Sequence, residues 1–481
     1  MPIDTTHKDF NANAGKWERC RDVAGGTDSI KAKTIKYLPM LSGQDALEYD
    51  AYIKRAEFYG AFSRTVQGVG GAVFRRAPTV EVPEQYVDYT DDITLTGIPF
   101  NVFARNVFDE VMTVGRVGVY AEMPVDGSAD LPLRPYAVMV TAENITNWRS
   151  SWSPLFGRYI LDMVIIKESI TESTGDPYEG NDVKQYREML LIDGNVVVNI
   201  WRENKQATNN KGKWTVQKTI EPMRLGQPLD RLPFQFINVT DLTPNVQKPP
   251  LLDLVDANLS HYLTSADLEH GRHYCGLPTA WVAGFPRETE LRVGANVAWV
   301  SDDPAAKVGM LEFSGQGLGP LENAAEHKEK RMAVLGARML ESQPRGIEAA
   351  DTVRLRQAGE AATIQGVINA TEFALERLMG WLVYWGGGDA DDAIVELNRD
   401  VIDTTASPQE LTAWTQALQS GAISYDTYYY LLQRADITRP HIDAEEEKEG
   451  INNDGGGIEQ NRGTTSAADN NEIAAAVADA G

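Results

Sequence analysis

His270, His273 and Cys275 place three metal-ligating side chains within six residues, and they form the one cluster in the chain with ligand chemistry. Imidazole nitrogens and a thiolate suit zinc. A nearby carboxylate such as Glu269 would then act on a metal-bound water, which is the chemistry of a metal-dependent hydrolase. A closed zinc site needs a fourth ligand, however, and none stands at a matching spacing. The cluster also falls where a helix is ending, so a surface position is the expectation. Asp302-Asp303-Pro304 reads as a turn rather than a magnesium site. No Gly-x-x-x-x-Gly-Lys-Ser/Thr run, Gly-x-Ser-x-Gly elbow or His-Glu-x-x-His pair occurs, which excludes P-loop phosphate binding and argues against serine hydrolase or zincin chemistry. Gly68-Val69-Gly70-Gly71 and Gly115-Arg116-Val117-Gly118 are read as helix-end and turn glycines. The two cysteines, Cys20 and Cys275, are too few for a disulfide framework and belong to no zinc-ligand pair. No catalytic residue, cofactor or metal is expected.

The remaining charged candidates lie on helices. Lys328, Lys330, Arg331 and Arg338 share one segment. A solvated face or ion pairs between subunits is the default reading for them, and contact with DNA or a protein partner is the alternative. Net charge bears on that choice. The chain carries −24, and ten acidic residues against Lys448 and Arg462 put −8 of it between His441 and Gly481. Tight DNA binding draws on a basic surface that releases counterions. A chain this acidic that met DNA would be built to avoid holding it.

With 481 residues, 42% apolar and 9% aromatic, the chain should form two to four structural regions with a sizeable core. No apolar run is long enough to span a bilayer, and the polar stretch Met1 to Lys16 does not resemble a signal peptide, so a soluble cytosolic product is expected. A helix capped by Ser42 is predicted from the apolar spacing of Tyr49 to Val73, ending before Pro78. Phe100–Gly115 predicts a helix, and strands are expected at Val117–Glu122, Pro135–Thr141 and Tyr159–Glu168. Asp193-Gly194 between Met189–Ile192 and Asn195–Val198 predicts a tight hairpin. This part reads as α+β.

From Pro249 the pattern changes. An amphipathic helix from Leu251 is followed by a Gly- and Pro-rich stretch, 276–320, with strand-like runs at Thr279–Val282, Ala295–Val300 and Val308–Phe313. A second helix is predicted over Leu321–Glu341. Gln343-Pro344-Arg345-Gly346 breaks it, and a long helix resumes over Asp351–Trp385, where Gly359, Gly366 and Gly380 point to a bend or a close packing contact. A strand is expected at Ala393–Asn398. Ser407-Pro408-Gln409-Glu410 opens a short helix, and Ser424 starts another. The acidic chain after Pro440 should be disordered.

This order resembles the portal proteins of tailed bacteriophages: helix, β tip, helix, loop, long bent helix, short helical end. Several segments are similar to one poorly characterised portal branch. They are Tyr52-Ile53-Lys54-Arg55-Ala56 through Gly70 to Pro78, Arg134-Pro135-Tyr136, Pro250-Leu251-Leu252-Asp253-Leu254 and Arg354-Leu355-Arg356-Gln357-Ala358-Gly359-Glu360. Gly421-Ala422-Ile423-Ser424 joins them near the end, and the likeness spans residues 38–438. The resemblance implies a wing over 1–250, a stem of 251–275 and 320–340, and a clip at 276–319. It implies a tunnel loop at 341–350, a long wing helix with its strand at 351–406, a short crown at 407–440 and an acidic tail at 441–481. It further implies a homo-oligomeric ring, a dodecamer, at one capsid vertex of the virion. Double-stranded DNA passes through such a ring in genome packaging and ejection. Expected partners are the terminase large subunit, head-completion and tail adaptor proteins, and the major capsid protein, with no membrane and no enzymatic activity. Gln343, Arg345 and Glu348 are the tunnel-loop candidates. Another virion adaptor or scaffold protein is the alternative.

Overall fold

The computed structural model opens on a helix that the sequence pattern did not single out. α1 (Lys8–Ala24) is capped by His7, whose Nδ1 accepts from the Asp9 amide at 3.2 Å. It buries Trp17, Cys20 and Val23 at a spacing of three residues, and burial pushes the Cys20 thiol up to about 12. α2 (Gly26–Ala32) follows. The single helix expected from Ser42 is two. α3 (Ala46–Arg55) is capped by Asp45 with Glu48 reaching back, and α4 (Ala61–Val73) begins after Gly60. Asn258, far along the chain, hydrogen-bonds the backbone at that break.

The residues described are 2–124, 133–154, 157–173, 175–176, 178–204, 213–277, 279–285, 299–311, 315–336, 350–399, 408–435, 437–438 and 442–453. They divide into two units, Met1–Val401 and Ile402–Gly481. In the first unit β1 (Thr79–Glu81) and α5 (Asp88–Asp91) lead into α6 (Phe100–Val114). Gly115 ends α6 at φ +79°, where a Cβ would also press within 2.9 Å of the Pro249 backbone, so glycine is required twice over.

β2 (Arg116–Glu122), β3 (Tyr136–Thr141), β4 (Ile145–Ser153), β5 (Arg158–Ser173), β6 (Gly180–Ile192), β7 (Asn195–Glu203) and β8 (Trp214–Ile220) come next. Then follow the short β9 (Met223–Arg224) and β10 (Gln227–Pro228), and β11 (Phe234–Asn238). β4 to β8 make a five-stranded antiparallel meander, while β11, β2 and β3 form a second antiparallel sheet. The predicted hairpin is present: Ile192 faces Asn195, and Asp193 (φ 51°) and Gly194 (φ 84°) both take the left-handed conformation that its turn demands.

α7 (Leu252–Gly276), β12 (Thr279–Ala283), β13 (Lys307–Leu311) and α8 (Leu318–Leu335) follow in order. β12 pairs antiparallel with β13. α9 (Ala350–Trp385) packs against α6, β2 and β11, and β14 (Ile394–Glu396) pairs with β1. Of the α9 glycines, Gly380 has a contact that explains it: a Cβ there would lie 2.6 Å from the Ala390 carbonyl oxygen. The run expected as a strand at Ala295–Val300 lies largely outside the described residues, and Trp299 and Val300 are not in one. The chain is thus mixed α and β. Among the described residues no helix is long and apolar enough to cross a membrane.

The second unit holds α10 (Pro408–Gln419), α11 (Tyr425–Arg434) and α12 (Ala444–Asn453). Ser424 caps α11, accepting from the Thr427 amide at 3.2 Å. α12 corrects the expectation that the chain after Pro440 is all disordered. Asp443 accepts from the amides of Glu445 and Glu446, and three glutamates in the first turn suit the positive helix end, so the acidity that argued for disorder here starts a helix.

Candidate functional site

α7 is the element on which the rest of the site hangs. At 25 residues it is about 37 Å long. Its first two thirds are embedded, with Leu252, Leu254, Val255, Tyr262, Ala266 and Leu268 buried. Asn258 is fully buried in this stretch. Its Oδ1 accepts from the Phe62 amide at 3.3 Å and its Nδ2 donates to the Tyr59 carbonyl at 2.7 Å. It thereby satisfies the backbone groups exposed where the helix breaks before α4. Tyr52 of α3 donates to Asp267 at 2.7 Å, and Arg19 of α1 pairs with Asp256 at 3.2 Å. After Leu268 no residue of α7 is buried, and the helix projects.

α8 returns along α7 and is held differently. It buries Ala325 and Met332, packs Leu335 against the core and Leu318 against Gly271, and adds a row of polar attachments. Arg272 donates to Glu322 at 2.6 Å, Lys328 to the Ser260 carbonyl at 2.9 Å and to Thr264 Oγ1 at 2.6 Å, and His261 Nε2 lies 3.2 Å from Glu329. Burial lowers the Lys328 ammonium from its ordinary range. The joined ends carry the β12–β13 ribbon. Trp281 lies across Gly309, where a Cβ would come within 2.7 Å of the indole, and Val308, Met310 and Leu311 are about half exposed at 51–55%. None of the described residues from Leu277 to Gly317 is buried.

The sequence candidates distribute unevenly over this site. Lys328 is engaged with α7 and so does not belong to a free basic face. Lys330 pairs with Glu326 at 3.7 Å on the exposed side, beside exposed Arg331. Arg338, Gln343, Arg345 and Glu348 lie outside the described residues. The His–Cys cluster does not converge. His270 packs between Tyr52 and Tyr274, with ring centroids at 5.0 and 4.8 Å, and burial followed by the charge of Arg55 lowers its pKa. Glu269 pairs with Arg272 at 2.6 Å. Among the described residues no three His, Cys, Asp or Glu side chains group to hold a metal.

One charged group in the body escaped the sequence reading. Arg116 is fully buried at the start of β2, its guanidinium 3.9 Å from the Phe236 ring centroid and 4.5 Å from that of Trp148. Nη1 donates to Asn238 Oδ1 and to the carbonyls of Pro244 and Asn245, while Nε and Nη2 have no partner among the described residues. Desolvation pushes its pKa down to about 9. The unfolded chain therefore holds this proton more tightly, and the charge destabilises the fold below pH 9, recedingly so as pH rises through it. A desolvated cation with no carboxylate in hydrogen-bond contact costs several kcal/mol, against about 1–2 kcal/mol for its ring contacts and about 1 kcal/mol for each of its bonds to Asn238, Pro244 and Asn245. Arg116→Met is therefore expected to stabilise the protein by up to about 1 kcal/mol in urea unfolding at pH 7, with the gain shrinking above pH 9. Equal or lower stability of the variant would show that hydrogen bonding, not desolvation, dominates there.

Comparison with known proteins gives three results. Residues 250–386, from just before α7 to just past α9, match a family model described as a domain of unknown function (DUF4055). No curated protein matches the chain. Among solved structures the chain is similar to a chain of the "virion of native gene transfer agent (GTA) particle", at 11% identity and a TM-score of 0.38, over 84% of this chain and 98% of that one. It is also similar to chains from the "neck of native GTA particle computed with C12 symmetry" (12%, TM-score 0.34, 79% and 92% covered). A third is from the "neck of empty GTA particle computed with C6 symmetry" (12%, TM-score 0.36, 80% and 92% covered).

Proposed function

We propose that this chain is a portal protein, the non-enzymatic ring subunit at one capsid vertex through which double-stranded DNA is packaged and ejected. The observation that carries this reading is the antiparallel pair α7–α8 with an uncovered apolar ribbon at its tip. A two-stranded ribbon is marginal alone in water. One that leaves Trp281, Met310 and Leu311 about half exposed, on a helix rooted in the body, is suited to docking. In this reading the ribbon receives the terminase large subunit and afterwards the head-completion and tail adaptor proteins, and the wing meets the major capsid protein. Net charge supports the conduit: at −24, electrostatic adhesion to passing phosphate is weak.

Native mass spectrometry with negative-stain imaging tests the architecture. Twelve copies of 53.1 kDa give a particle of about 640 kDa with a central hole. A monomer or compact dimer that persists at high concentration and in the presence of capsid protein would overturn the reading.

A further inference from the structure

The second unit has too little core for its helices. Among its described residues only Tyr429 and Ala435 are buried. α10 leans on α11, with Thr415 Oγ1 3.3 Å from the Tyr428 hydroxyl, yet none of its 12 residues is buried. α12 rests on α11, where Tyr429 and Gln433 donate to the Ile442 carbonyl. Leu411, Trp414 and Leu418 share the Thr415 side of α10, and Leu431 shares the Tyr428 side of α11. All four stay partly exposed, so the two helices leave an apolar groove between them. Helices this short are marginal in water until such a face is packed.

Residues 454–481 lie outside the described residues, and their sequence holds one segment suited to that groove. Asp469-Asn470-Asn471-Glu472 repeats the spacing of Asp45 and Glu48, the capping box that starts α3. Ile473, Ala476, Val477 and Ala480 follow at helical spacing, while Glu472, Ala475 and Asp479 fall on the other side. Alanine at 474, 475, 476, 478 and 480 makes the run a strong helix former. As a helix, 470–480 would measure about 16 Å, against about 18 Å for α10. Its small side chains allow close approach to the bulky Leu411, Trp414 and Leu418. The stretch 454–469, rich in Gly, Ser and Thr, joins it to α12 with a typical span of about 20–24 Å, longer than α10 itself.

We propose that residues 470–480 dock as a helix in the groove between α10 and α11 of the same chain, with Ile473 and Val477 against Leu411, Trp414 and Leu418. The tether selects this occupant: it holds the segment at an effective concentration of about millimolar, which no free partner matches. The second unit is then a helical module completed by its own tail. This contact goes beyond the ring reading and does not depend on it.

Amide hydrogen exchange in the full-length protein tests it, read by mass spectrometry on peptides covering 408–419. Ending the chain after Ala468, and separately Ile473→Asp with Val477→Asp, are each expected to speed exchange of the α10 amides by about tenfold or more. Ala475→Asp puts a charge and a like loss of helix propensity on the other face, and should stay within about threefold of wild type. A synthetic peptide of residues 469–481 at about 1 mM should restore protection to the truncated protein. As a second readout, a photo-crosslinking residue at position 477 should capture peptides from 408–435. In a mixture of light and isotope-labelled protein, the two linked peptides should carry the same label. Equal α10 exchange with and without the tail, crosslinks confined to other regions, or mixed-label pairs in statistical proportion would each overturn the proposal and leave the ring reading standing.

Discussion

Replacing residues 277–317 by a short glycine–serine turn is expected to leave the protein folded and ring-forming while abolishing DNA packaging. The body should not register the loss, because no described residue in that span is buried and α7 keeps its embedded two thirds. The rungs from Arg272 to Glu322 and from Lys328 to Ser260 and Thr264 still bring α8 back along α7. Stability should therefore change by about 0.5 kcal/mol or less. Packaging falls to background in this reading because the removed ribbon is the docking face. Packaging at wild-type rates in a reconstituted terminase reaction would remove the ribbon from the function. An unfolded product would mean that the tip belongs to the folding core.

Trp17→Ala is the substitution expected to cost most stability. The indole is fully buried in α1, which lies against α4, α6 and α7, so its removal opens a cavity where four helices meet. Large aromatic truncations of this kind cost about 3–5 kcal/mol, a large share of the roughly 5–15 kcal/mol that holds a typical domain together. The indole Nε1 has no partner among the described residues, so Trp17→Phe forfeits volume but no hydrogen bond. It should recover more than half of the loss in denaturant titrations. A phenylalanine variant as damaged as the alanine one would show that the NH has a role that burial alone does not explain.

What could be read from the sequence followed the range of the forces involved. Helices and turns fixed by near neighbours were legible: the Asp193-Gly194 hairpin, α6 up to Gly115, α7, α9 and the Ser424 cap all formed where spacing and capping placed them. The break between α3 and α4 was not, because Asn258, some two hundred positions away, supplies the hydrogen bonds that make it tolerable. α1 was missed because its buried face rests on Trp17, Cys20 and Val23 amid polar residues, a stripe that gains meaning only once α6 and α7 are present. At the site, the order of helix, ribbon and helix was legible, but the role of Lys328 was not. Its ammonium turns toward the Ser260 carbonyl, a partner that charge patterning along α8 cannot reveal. Arg116 was read as part of a turn, and only the sheet packing shows the aromatic walls around it.

The unequal rooting of α7 and α8 gives the helical pair an asymmetric mechanical response. A push on the ribbon along α7 travels down one unbroken rod into packed side chains, which resist compression as a solid does. The same push along α8 meets fewer buried side chains and more side-chain hydrogen bonds, which can exchange partners by a rotamer change, with Glu322 and Glu329 spaced along the helix as acceptors facing α7. The tip therefore behaves as a strut beside a slip joint. Load is borne on one side while the other creeps, and the ribbon tilts before anything in the body has to unfold.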